Sequence, residues 1–191
     1  MITSEILTKK LEQFSRYRFA HLPTPLEKME RLGLDLGTSK LWVKREDATG
    51  LAFGGNKARH YEFQIPHILE QGYDVLINIM DYHSNNARMT AAAANKFDIP
   101  YVLVSQYAKN RPKQGNMLLD ILLGAEIHDL NTEESKDAFG YAKRIEKELL
   151  NKGKKPYLLN DHRFPSIVGI IAYLNATLEL QQQFQEEKLN K

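Results

Sequence analysis

Residues 75–104 read VLINIMDYHSNNARMTAAAANKFDIPYVLV, and this stretch indicates the fold more clearly than any other. Its first five residues, Val75–Ile79, predict a short buried strand. Ser84–Phe97 is rich in alanine and predicts a helix that Ser84 or a neighbouring residue caps. Tyr101–Val104 predicts a second strand. A strand, a helix and a strand in this order indicate two parallel strands joined by a right-handed crossover.

The same alternation continues on both sides of this stretch. Helices are predicted over Ser4–Phe14, Asn56–Gln71 (with Pro66 as a kink or a break), Gln114–Leu123, Glu133–Asn151 (capped by Thr132) and Ser166–Glu186. Strands are predicted over Leu41–Lys44, Ala125–His128 and Tyr157–Leu159. We therefore predict an α/β fold, a parallel sheet with flanking helices. Ligands of such sheets bind beyond the carboxyl ends of the strands, so functional residues are expected in the turns that lead into helices.

The length and composition are those of an ordinary globular protein. The 191 residues correspond to about 1.3 domains. Lys and Arg number 26 against 24 Asp and Glu, which argues against a protein that binds nucleic acid or a membrane surface through charge. The longest uncharged apolar stretch, Pro165–Leu178, is shorter than the ~20 residues of a membrane span.

Several kinds of site are excluded by residues that the sequence lacks. No cysteine occurs, which excludes disulfides, thiol nucleophiles and cysteine metal sites and is compatible with a reducing cytoplasm. The histidines lack the spacing of metal ligands, so no metal site is predicted. Asp161 and His162 form either a buried acid–base pair or a loop end. The first ten residues lack the apolar core of a signal peptide, and we expect a cytoplasmic protein.

The turn Gly54-Gly55-Asn56-Lys57 precedes the second long helix. Its two glycines allow a close backbone approach or a positive φ. Lys57 then lies in the first turn of the helix, where the positive end of the helix dipole disfavours a charged ammonium. The neutral amine is the form that attacks an aldehyde. The turn is therefore a candidate Schiff-base site, and the alternative is a solvated lysine at the start of a helix.

A second candidate turn follows the strand Val75–Ile79 and leads into the alanine-rich helix. Ser84 and Asn85 place a hydroxyl and an amide at the N-terminus of that helix, beside backbone N–H groups that have no helical acceptor. Such a group of donors suits a carboxylate. The alternative is that Ser84 only caps the helix.

Four segments together resemble the pyridoxal-phosphate enzymes of fold type II, the tryptophan synthase β superfamily. Lys44–Asp47 and Gly50–Arg59 resemble its lysine segment, most of all in the branch of D-cysteine desulfhydrase and 1-aminocyclopropane-1-carboxylate deaminase. His83–Arg88 is similar to the S-N-x-x-R turn of that branch. Two further segments also resemble the branch, Gly115–Asp120 followed by Leu123–Glu126, and Leu22–Leu26. The resemblance extends over about Pro23–Leu178 and implies a truncated form of the fold-type II architecture.

The resemblance implies a role for each matching position. Lys57 would form the Schiff base with pyridoxal phosphate and shuttle the α-proton, and Asn85 would hydrogen-bond the 3′ oxygen of the cofactor. Ser84 would face the substrate, as a carboxylate binder or as an acid–base group. The other implied residues are Asn56 in cofactor binding and Tyr82, Asn85 and Asn86 in substrate binding. Tyr82 is either a lid or a packing residue.

Two departures from the family pattern concern the turn and the length. Met80 and Asp81 stand where the family usually has glycines, so they either fill the space of the substrate or reshape the pocket, with Asp81 meeting a cation. The second half of the family fold, which supplies the glycine-rich phosphate loop and the group facing the pyridine nitrogen, has no counterpart here. Pyridoxal phosphate should therefore bind weakly or not at all to the isolated chain.

The last predicted helix carries apolar residues around much of its circumference, which is typical of a buried helix. These residues are Ile167, Val168, Ile170, Ile171, Tyr173, Leu174, Leu178, Leu180 and Phe184. We expect a second copy or a separate chain with the missing half to cover them. The alternative is that the helix folds back on the sheet.

Two functional hypotheses follow from these observations. The first is part of a pyridoxal-phosphate lyase or deaminase that acts on a small amino acid, as D-cysteine desulfhydrase or aminocyclopropanecarboxylate deaminase does, completed by a partner chain. The second is a non-catalytic truncated homologue that serves as a binding or interaction protein. Residues 1–191 are expected to form a single truncated unit, with 72–153 as a small α/β subdomain and 1–71 and 154–191 as remnants of a large domain.

Overall fold

The computed structural model describes residues 3–161 and 164–187. Its helices are α1 (Ser4–Leu11), α2 (Glu30–Asp35), α3 (Lys57–Glu70), α4 (Asn85–Asn95), α5 (Asn116–Leu122), α6 (Thr132–Ser135), α7 (Ala138–Asn151) and α8 (Phe164–Glu186). Its strands are β1 (Leu26–Lys28), β2 (Trp42–Lys44), β3 (Val75–Asp81), β4 (Tyr101–Gln106), β5 (Glu126–Asp129) and β6 (Pro156–Leu158). Two short 3₁₀ turns, Glu46–Thr49 and Leu51–Phe53, precede α3.

The main sheet has four strands in the order β5-β4-β3-β6. All its pairings are parallel, with Leu76 opposite Tyr101 and Ile77 opposite Leu158. The predicted α/β fold with a parallel sheet is therefore confirmed. Strand β6 lies beyond the predicted subdomain boundary at residue 153 and forms one edge of the same sheet. The division into a small subdomain and remnants of a large domain stays a prediction.

Both faces of the main sheet are covered by helices. On one face, Leu76 and Leu103 pack with the buried residues of α3 and α4, including Tyr61 and Ala91. On the other face, an apolar cluster joins the strands to α7; its buried members are Val75, Ile77, Val102, Val104, Leu130, Ala138, Ala142 and Leu158. Burial on both faces explains why the strands read as short apolar runs rather than as alternating patterns.

Strand β1 and helix α2 were not predicted from the sequence. Strand β1 pairs antiparallel with β2, with Leu26 opposite Lys44. It contains three residues, of which Glu27 and Lys28 are exposed, so it shows no apolar run. Its register is set by its partner strand rather than by its own sequence.

The predicted helix Glu133–Asn151 is two helices, and its predicted cap Thr132 is wrong. Asn131 caps α6 in a capping box: its side chain accepts the Glu134 N–H at 2.9 Å, and the Glu134 carboxylate accepts the Asn131 N–H at 2.8 Å. The Asp137 carboxylate then accepts the Gly140 N–H at 3.0 Å and begins α7. Two strong caps six residues apart therefore start two helices in succession.

Pro66 does not break α3, which continues to Glu70. A proline has no N–H, so the carbonyl of Glu62 loses its helical donor. The backbone N–H of Tyr17 donates to that carbonyl instead, at 2.7 Å. This substitute hydrogen bond from the N-terminal segment removes one cost of a proline inside the helix, and the alternative of a break is wrong.

Helix α8 packs along α1 and α3 rather than on the main sheet. Val168 and Ile171 are buried against Leu11 and Phe63. The other side of α8 exposes an apolar stripe, which consists of Ile167, Ile170, Tyr173 and Leu174. At 100° of rotation per residue, these four positions fall within about one third of the helix circumference. Only part of the apolar circumference is therefore buried within the described part of the chain.

Candidate active site

The loop before Lys57 is held in a conformation that requires glycine. Gly54 has a φ of +79°, and a Cβ on it would lie 1.7 Å from the carbonyl oxygen of Asp47. Gly55 is fixed by the Thr49 hydroxyl, which accepts its N–H at 2.9 Å and donates to its carbonyl at 2.8 Å. Lys57 is the first residue of α3. The loop therefore fixes the backbone of the candidate lysine at the positive end of a helix dipole.

Ser84 caps α4, as the sequence predicts. Its hydroxyl oxygen accepts the Ala87 N–H at 3.2 Å, and its own N–H donates to the carbonyl of Asp81 at 3.0 Å. The capping bond uses Ser84 as an acceptor only, so the hydroxyl proton stays available as a donor. Asn85 follows as the first helical residue, and the first N–H groups of any α-helix lack helical acceptors. Capping and anion binding are therefore compatible at this helix end.

A direct contact joins the Lys57 loop to this helix. The guanidinium of Arg88, one turn after Ser84, donates through Nη2 to the carbonyl of Gly54 at 3.0 Å. Met89 lies behind Gly55, where an added Cβ would meet its sulfur at 3.0 Å. The structure thus brings the loop that carries Lys57 together with the helix that begins at Asn85. They meet beyond the carboxyl end of the central strand β3.

Arg88 also lies near a buried carboxyl group that the sequence did not single out as functional. Burial raises the pKa of Asp120 to about 7, and the positive charge of Arg88 opposes this rise only in part. Burial likewise lowers the pKa of Arg88. Asp120 Oδ1 and Arg88 Nε are both buried without a hydrogen-bond partner among the described residues. A short motif cannot show that a helical aspartate is buried, which is why this pair was missed.

The other side of Lys57 faces α8. Burial, and after it the charge of Lys57, lowers the pKa of His60 to about 4, so this histidine is neutral at neutral pH. Gly169 of α8 lies against His60, since a Cβ on it would be 3.6 Å from Nδ1. Burial raises the pKa of the Tyr173 phenol, and the neighbouring Asn56 amide opposes this rise. The exposed apolar stripe of α8 therefore begins beside the residue that precedes Lys57.

Tyr82 is buried in the described structure. Its hydroxyl donates to the carbonyl of Pro112, and its ring packs with Ala108 and Met117. Its ring also stacks edge-on against His83, with centroids 4.1 Å apart. These contacts are those of a packing residue, and the predicted role of Tyr82 in substrate binding stays a prediction.

Asn86 and Met80 contact each other. The carbonyl oxygen of the Asn86 side chain accepts the Tyr61 hydroxyl at 2.9 Å, and its amide nitrogen lies 3.8 Å from the sulfur of Met80. Met80 is half-buried, whereas Asp81 is exposed. Met80 thus packs beneath the first turn of α4. The substrate role of Asn86 also stays a prediction.

The residues of this site fit one part of the predicted cofactor. An amine at the start of α3 suits an aldehyde, and the amide of Asn85 suits an oxygen acceptor. Beyond Gly55 the chain has only separated glycines. Of these, Gly72, Gly115, Gly124 and Gly153 occupy turns or caps with positive φ, and Gly140 and Gly169 lie in helices. A phosphate would find no glycine-rich cradle among them.

Other regions of the described chain offer no competing site of this kind. A cleft of about 610 Å³ lies between α1, the segment around Arg16–Pro23 and the C-terminal half of α8, away from Lys57. Residues 3–161 and 164–187 contain no cluster of three His, Asp or Glu side chains that could hold a metal ion. No helix in these ranges is long and apolar enough to span a membrane. His162 lies outside the described residues, and Asp161 is exposed and paired with Lys143.

A lysine at one helix start, against a Ser-Asn helix start at the end of a parallel strand, defines a class of enzyme that uses an aldehyde cofactor. Residues 17–190 match the profile of the family described as "Pyridoxal-phosphate dependent enzyme", and the chain belongs to this family. Pyridoxal phosphate is the cofactor of the family. The resemblance stated from the sequence is therefore confirmed.

Curated relatives show to which branch of the family the chain is similar. The chain is 35% identical over 183 residues to D-cysteine desulfhydrase of Salmonella typhimurium, covering 92% of this chain and 54% of that protein. It is 35% identical over 191 residues to 1-aminocyclopropane-1-carboxylate deaminase of Mesorhizobium japonicum, covering 94% and 55%. It is 33% identical over 174 residues to a bifunctional mitochondrial enzyme of Arabidopsis thaliana that is named for both activities, covering 87% and 43%.

Solved structures agree with this fold. A crystal structure of an ACC deaminase homologue aligns with a TM-score of 0.83 and 30% identity, covering 95% of this chain and 55% of that chain. Diaminopropionate ammonia lyase from Escherichia coli, in its apo form, aligns with a TM-score of 0.67 at 18% identity, which supports the fold alone. The chain spans about half the length of the curated relatives that it matches.

Proposed function

We propose that this chain is the lysine-bearing part of a pyridoxal-phosphate lyase or deaminase that acts on a small amino acid, of the D-cysteine desulfhydrase or aminocyclopropanecarboxylate deaminase type. The observation that carries the proposal is the hydrogen bond between Arg88 and the Gly54 carbonyl. This bond holds the Lys57 loop against the helix that begins with Ser84 and Asn85. The proposed products are ammonia and a 2-oxo acid, with sulfide as the leaving group when the substrate is D-cysteine. The cytoplasmic location stays a prediction.

Each proposed role uses a property of the residue in the described structure. Lys57 would hold the aldehyde carbon of the cofactor and move the α-proton, because it carries an amine on the first residue of α3, directly after the glycine turn. Asn85 donates to the 3′ oxygen of the cofactor. Ser84 keeps a free hydroxyl proton for the substrate carboxylate. When bound, pyridoxal phosphate supplies an electron-accepting ring that stabilises negative charge at the α-carbon of the substrate.

A partner chain that carries the phosphate-binding half completes the site in this proposal. This partner chain would bind to the exposed apolar stripe of α8. Tyr173 of that stripe lies near Asn56, the residue before Lys57, so a chain packed there would lie beside Lys57. Large apolar patches rimmed by polar residues are typical of protein–protein contacts. In this proposal the partner supplies what lies outside the matched 54% and 55% of these relatives.

The second candidate function is a non-catalytic binding or interaction protein. The observation that favours it is the packing of Met80 beneath Asn86, at a turn where the resemblance leads us to expect glycines. A methionine in this position would occupy space that a substrate needs. The two functions are distinguished by cofactor uptake and turnover once the phosphate-binding half is supplied.

The test is a titration of the purified chain with pyridoxal phosphate, followed by absorption. It is repeated after adding the part of the Salmonella D-cysteine desulfhydrase that the chain does not match, produced as a separate polypeptide. We expect weak uptake by the chain alone and strong uptake, with release of a 2-oxo acid from D-cysteine or aminocyclopropanecarboxylate, by the mixture. Lys57→Ala should abolish both signals, whereas Lys152→Ala, at an exposed helix end, should change neither.

The same mixture decides between the two candidate functions. A stable complex that takes up no cofactor, or that takes it up equally well with Lys57→Ala, would overturn the enzymatic proposal and favour the binding protein. A substitution in the stripe, Ile170→Asp, should prevent the complex without unfolding the chain, because Ile170 is 64% exposed.

A further inference from the structure

Asn116, the first residue of α5, makes two hydrogen bonds at the candidate site. Its side-chain Nδ2 donates to the backbone carbonyl of His83 at 2.8 Å and to Oδ1 of Asn85 at 3.0 Å. Helix α5 contacts α4 along its length, and Met117 beside Asn116 is fully buried. The amide of Asn116 is therefore held by an element that packs into the interior.

The donor and acceptor chemistry of these contacts fixes the direction of both amides. A backbone carbonyl can only accept, so it selects the NH₂ group of Asn116 rather than its oxygen. The same group also contacts the Asn85 amide, in which only the oxygen can accept a hydrogen bond. The Asn85 Nδ2 consequently points away from Asn116. Within residues 3–161 and 164–187, Asn85 Nδ2 has no hydrogen-bond acceptor.

We infer that Asn116 is a positioning residue that orients the amide of Asn85 so that its NH₂ group, and not its oxygen, faces the cofactor. The inference rests on the proposed function, in which Asn85 donates to the 3′ oxygen of pyridoxal phosphate. An Asn85 amide turned by 180° would present an oxygen to an oxygen and repel the cofactor. Asn116 acts through Asn85 and touches neither cofactor nor substrate in this account.

The placement of Asn116 depends on the turn before it. Gly115 caps α5 with a φ of +57°, and a Cβ on it would approach His83 Nδ1 at 3.9 Å. Further along α5, Asp120 lies in the field of Arg88, which bonds the Lys57 loop. Helix α5 is thus connected both to Asn85 and, through Arg88, to the turn that carries Lys57.

The first experiment uses the cofactor-free chain and NMR of its side-chain amides. We expect a coupling through the hydrogen bond from the Asn116 NH₂ group to Cγ of Asn85, and none from the Asn85 NH₂ group to Asn116. Asn116→Asp should remove this coupling, because a carboxylate cannot donate. An Asn85 amide that faces Asn116 with its NH₂ group in the unsubstituted chain would overturn the inference by itself.

The second experiment measures pyridoxal-phosphate affinity on the chain mixed with the complementing part described above. A hydrogen bond to a charged oxygen contributes enough that Asn116→Asp should weaken binding about tenfold or more, and Asn116→Ala by a smaller factor. Asn95→Ala is the matched control. Asn95 Nδ2 donates to the Leu123 carbonyl at 3.2 Å and links the same two helices at their other end.

The outcomes separate this inference from the proposed function. Cofactor uptake that is equal in the unsubstituted chain and in Asn116→Asp would overturn the inference and leave the proposed function intact. An equal loss in Asn95→Ala would show a general effect of joining α4 to α5 and would also overturn it. Absence of uptake by the unsubstituted chain in the mixture would overturn both, even where the NMR coupling is present.

Discussion

Two buried arginines of this chain differ in how completely their guanidinium groups are hydrogen-bonded. Arg59 is 1% exposed, and each of its three guanidinium nitrogens has an acceptor among Glu46, Glu179 and Thr24. Arg88 is 8% exposed and donates to the Gly54 carbonyl, while its Nε is buried without an acceptor among the described residues. Every guanidinium nitrogen of Arg59 therefore has a partner, whereas Nε of Arg88 has none.

The carboxyl groups beside the two arginines have pKa values shifted in opposite directions. Burial by itself raises the pKa of Glu179, but hydrogen bonds from Arg59 and Lys44 outweigh burial and lower the pKa to about 2. Burial raises the pKa of Asp120 to about 7, and the charge of Arg88 only moderates it. Glu179 is therefore an ion-pair partner, whereas Asp120 is a carboxyl group whose pKa lies close to physiological pH.

The difference separates a structural cluster from a candidate functional one. The Arg59 cluster connects α3 to α8 and to β2, through Glu179 and Lys44. The Arg88 pair lies against the turn before Lys57. Buried polar groups without a hydrogen-bond partner, such as Asp120 Oδ1 and Arg88 Nε, need an explanation, and a functional site is one. The comparison supports the placement of the active site at the Lys57 turn rather than at the larger cleft beside α8.

The largest effect should follow from breaking the satisfied cluster. Arg59→Met leaves Glu46 and Glu179 facing each other with fewer cations, and removing one partner of a buried ion pair costs about 3–5 kcal/mol. The free energy of unfolding in urea measures this. Arg45→Met is the control, since Arg45 pairs with Glu27 and Asp47 at the surface and its replacement should cost far less. Equal costs would contradict the structural role of the Arg59 cluster.

The same cluster should also make the free energy of unfolding depend on pH in the acid range, by a smaller amount than Arg59→Met. The pKa of Glu179 is about 2 in the folded chain, below its ordinary value of 4.5. The stability that it contributes is therefore present above about pH 4.5 and is lost as the pH falls towards 2. The loss should amount to about 3 kcal/mol. Unfolding of Glu179→Gln at several pH values should lack this component; an unchanged acid dependence would refute it.

The Arg88–Asp120 pair should give a pH dependence of stability that is opposite in sign to that of Glu179. The pKa of Asp120 is about 7 in the folded chain, above its ordinary value of 3.8. The stability tied to its proton is therefore present below about pH 3.8 and is lost as the pH rises through 7. The free energies of unfolding of the unsubstituted chain and of Asp120→Asn should differ by less than the full pKa shift corresponds to. The reason is that the introduced amide is buried too.

Asp120→Asn is measured against Asp35→Asn, which changes an exposed carboxylate. We expect Asp120→Asn to gain stability relative to the unsubstituted chain between pH 4 and 7, and Asp35→Asn to follow the unsubstituted chain. If the two variants have the same pH dependence, Asp120 ionises as a surface carboxylate does, and the contrast with Glu179 disappears.

The central strands and α4 could be predicted from the sequence because their signals are local. Val75–Ile79 is a buried run, and Ser84 is a strong cap placed directly before a run of good helix formers. The turns of Lys57 and Ser84 were also visible, since their residue types carry their chemistry. What the sequence could not show is the bond from Arg88 to Gly54, which depends on the packing of two helices.

The errors have two physical origins. The continuation of α3 through Pro66 depends on a donor from Tyr17, far away in the chain, so no local signal predicts it. At the start of α6, two adjacent residues, Asn131 and Thr132, are both of a type that caps helices. Glu134 three residues after Asn131 completes a capping box and could have decided for Asn131 over Thr132.

The central claim is that Lys57 is the lysine that binds the cofactor, at a turn fixed by Arg88. The most direct test is reduction with borohydride in the presence of pyridoxal phosphate, on the chain mixed with the complementing part of the Salmonella enzyme, followed by peptide mapping. We predict that the label lies on the peptide Gly54–Arg59 at Lys57, and that Lys57→Ala removes it. A label spread over surface lysines, or one that persists in Lys57→Ala, would contradict the account.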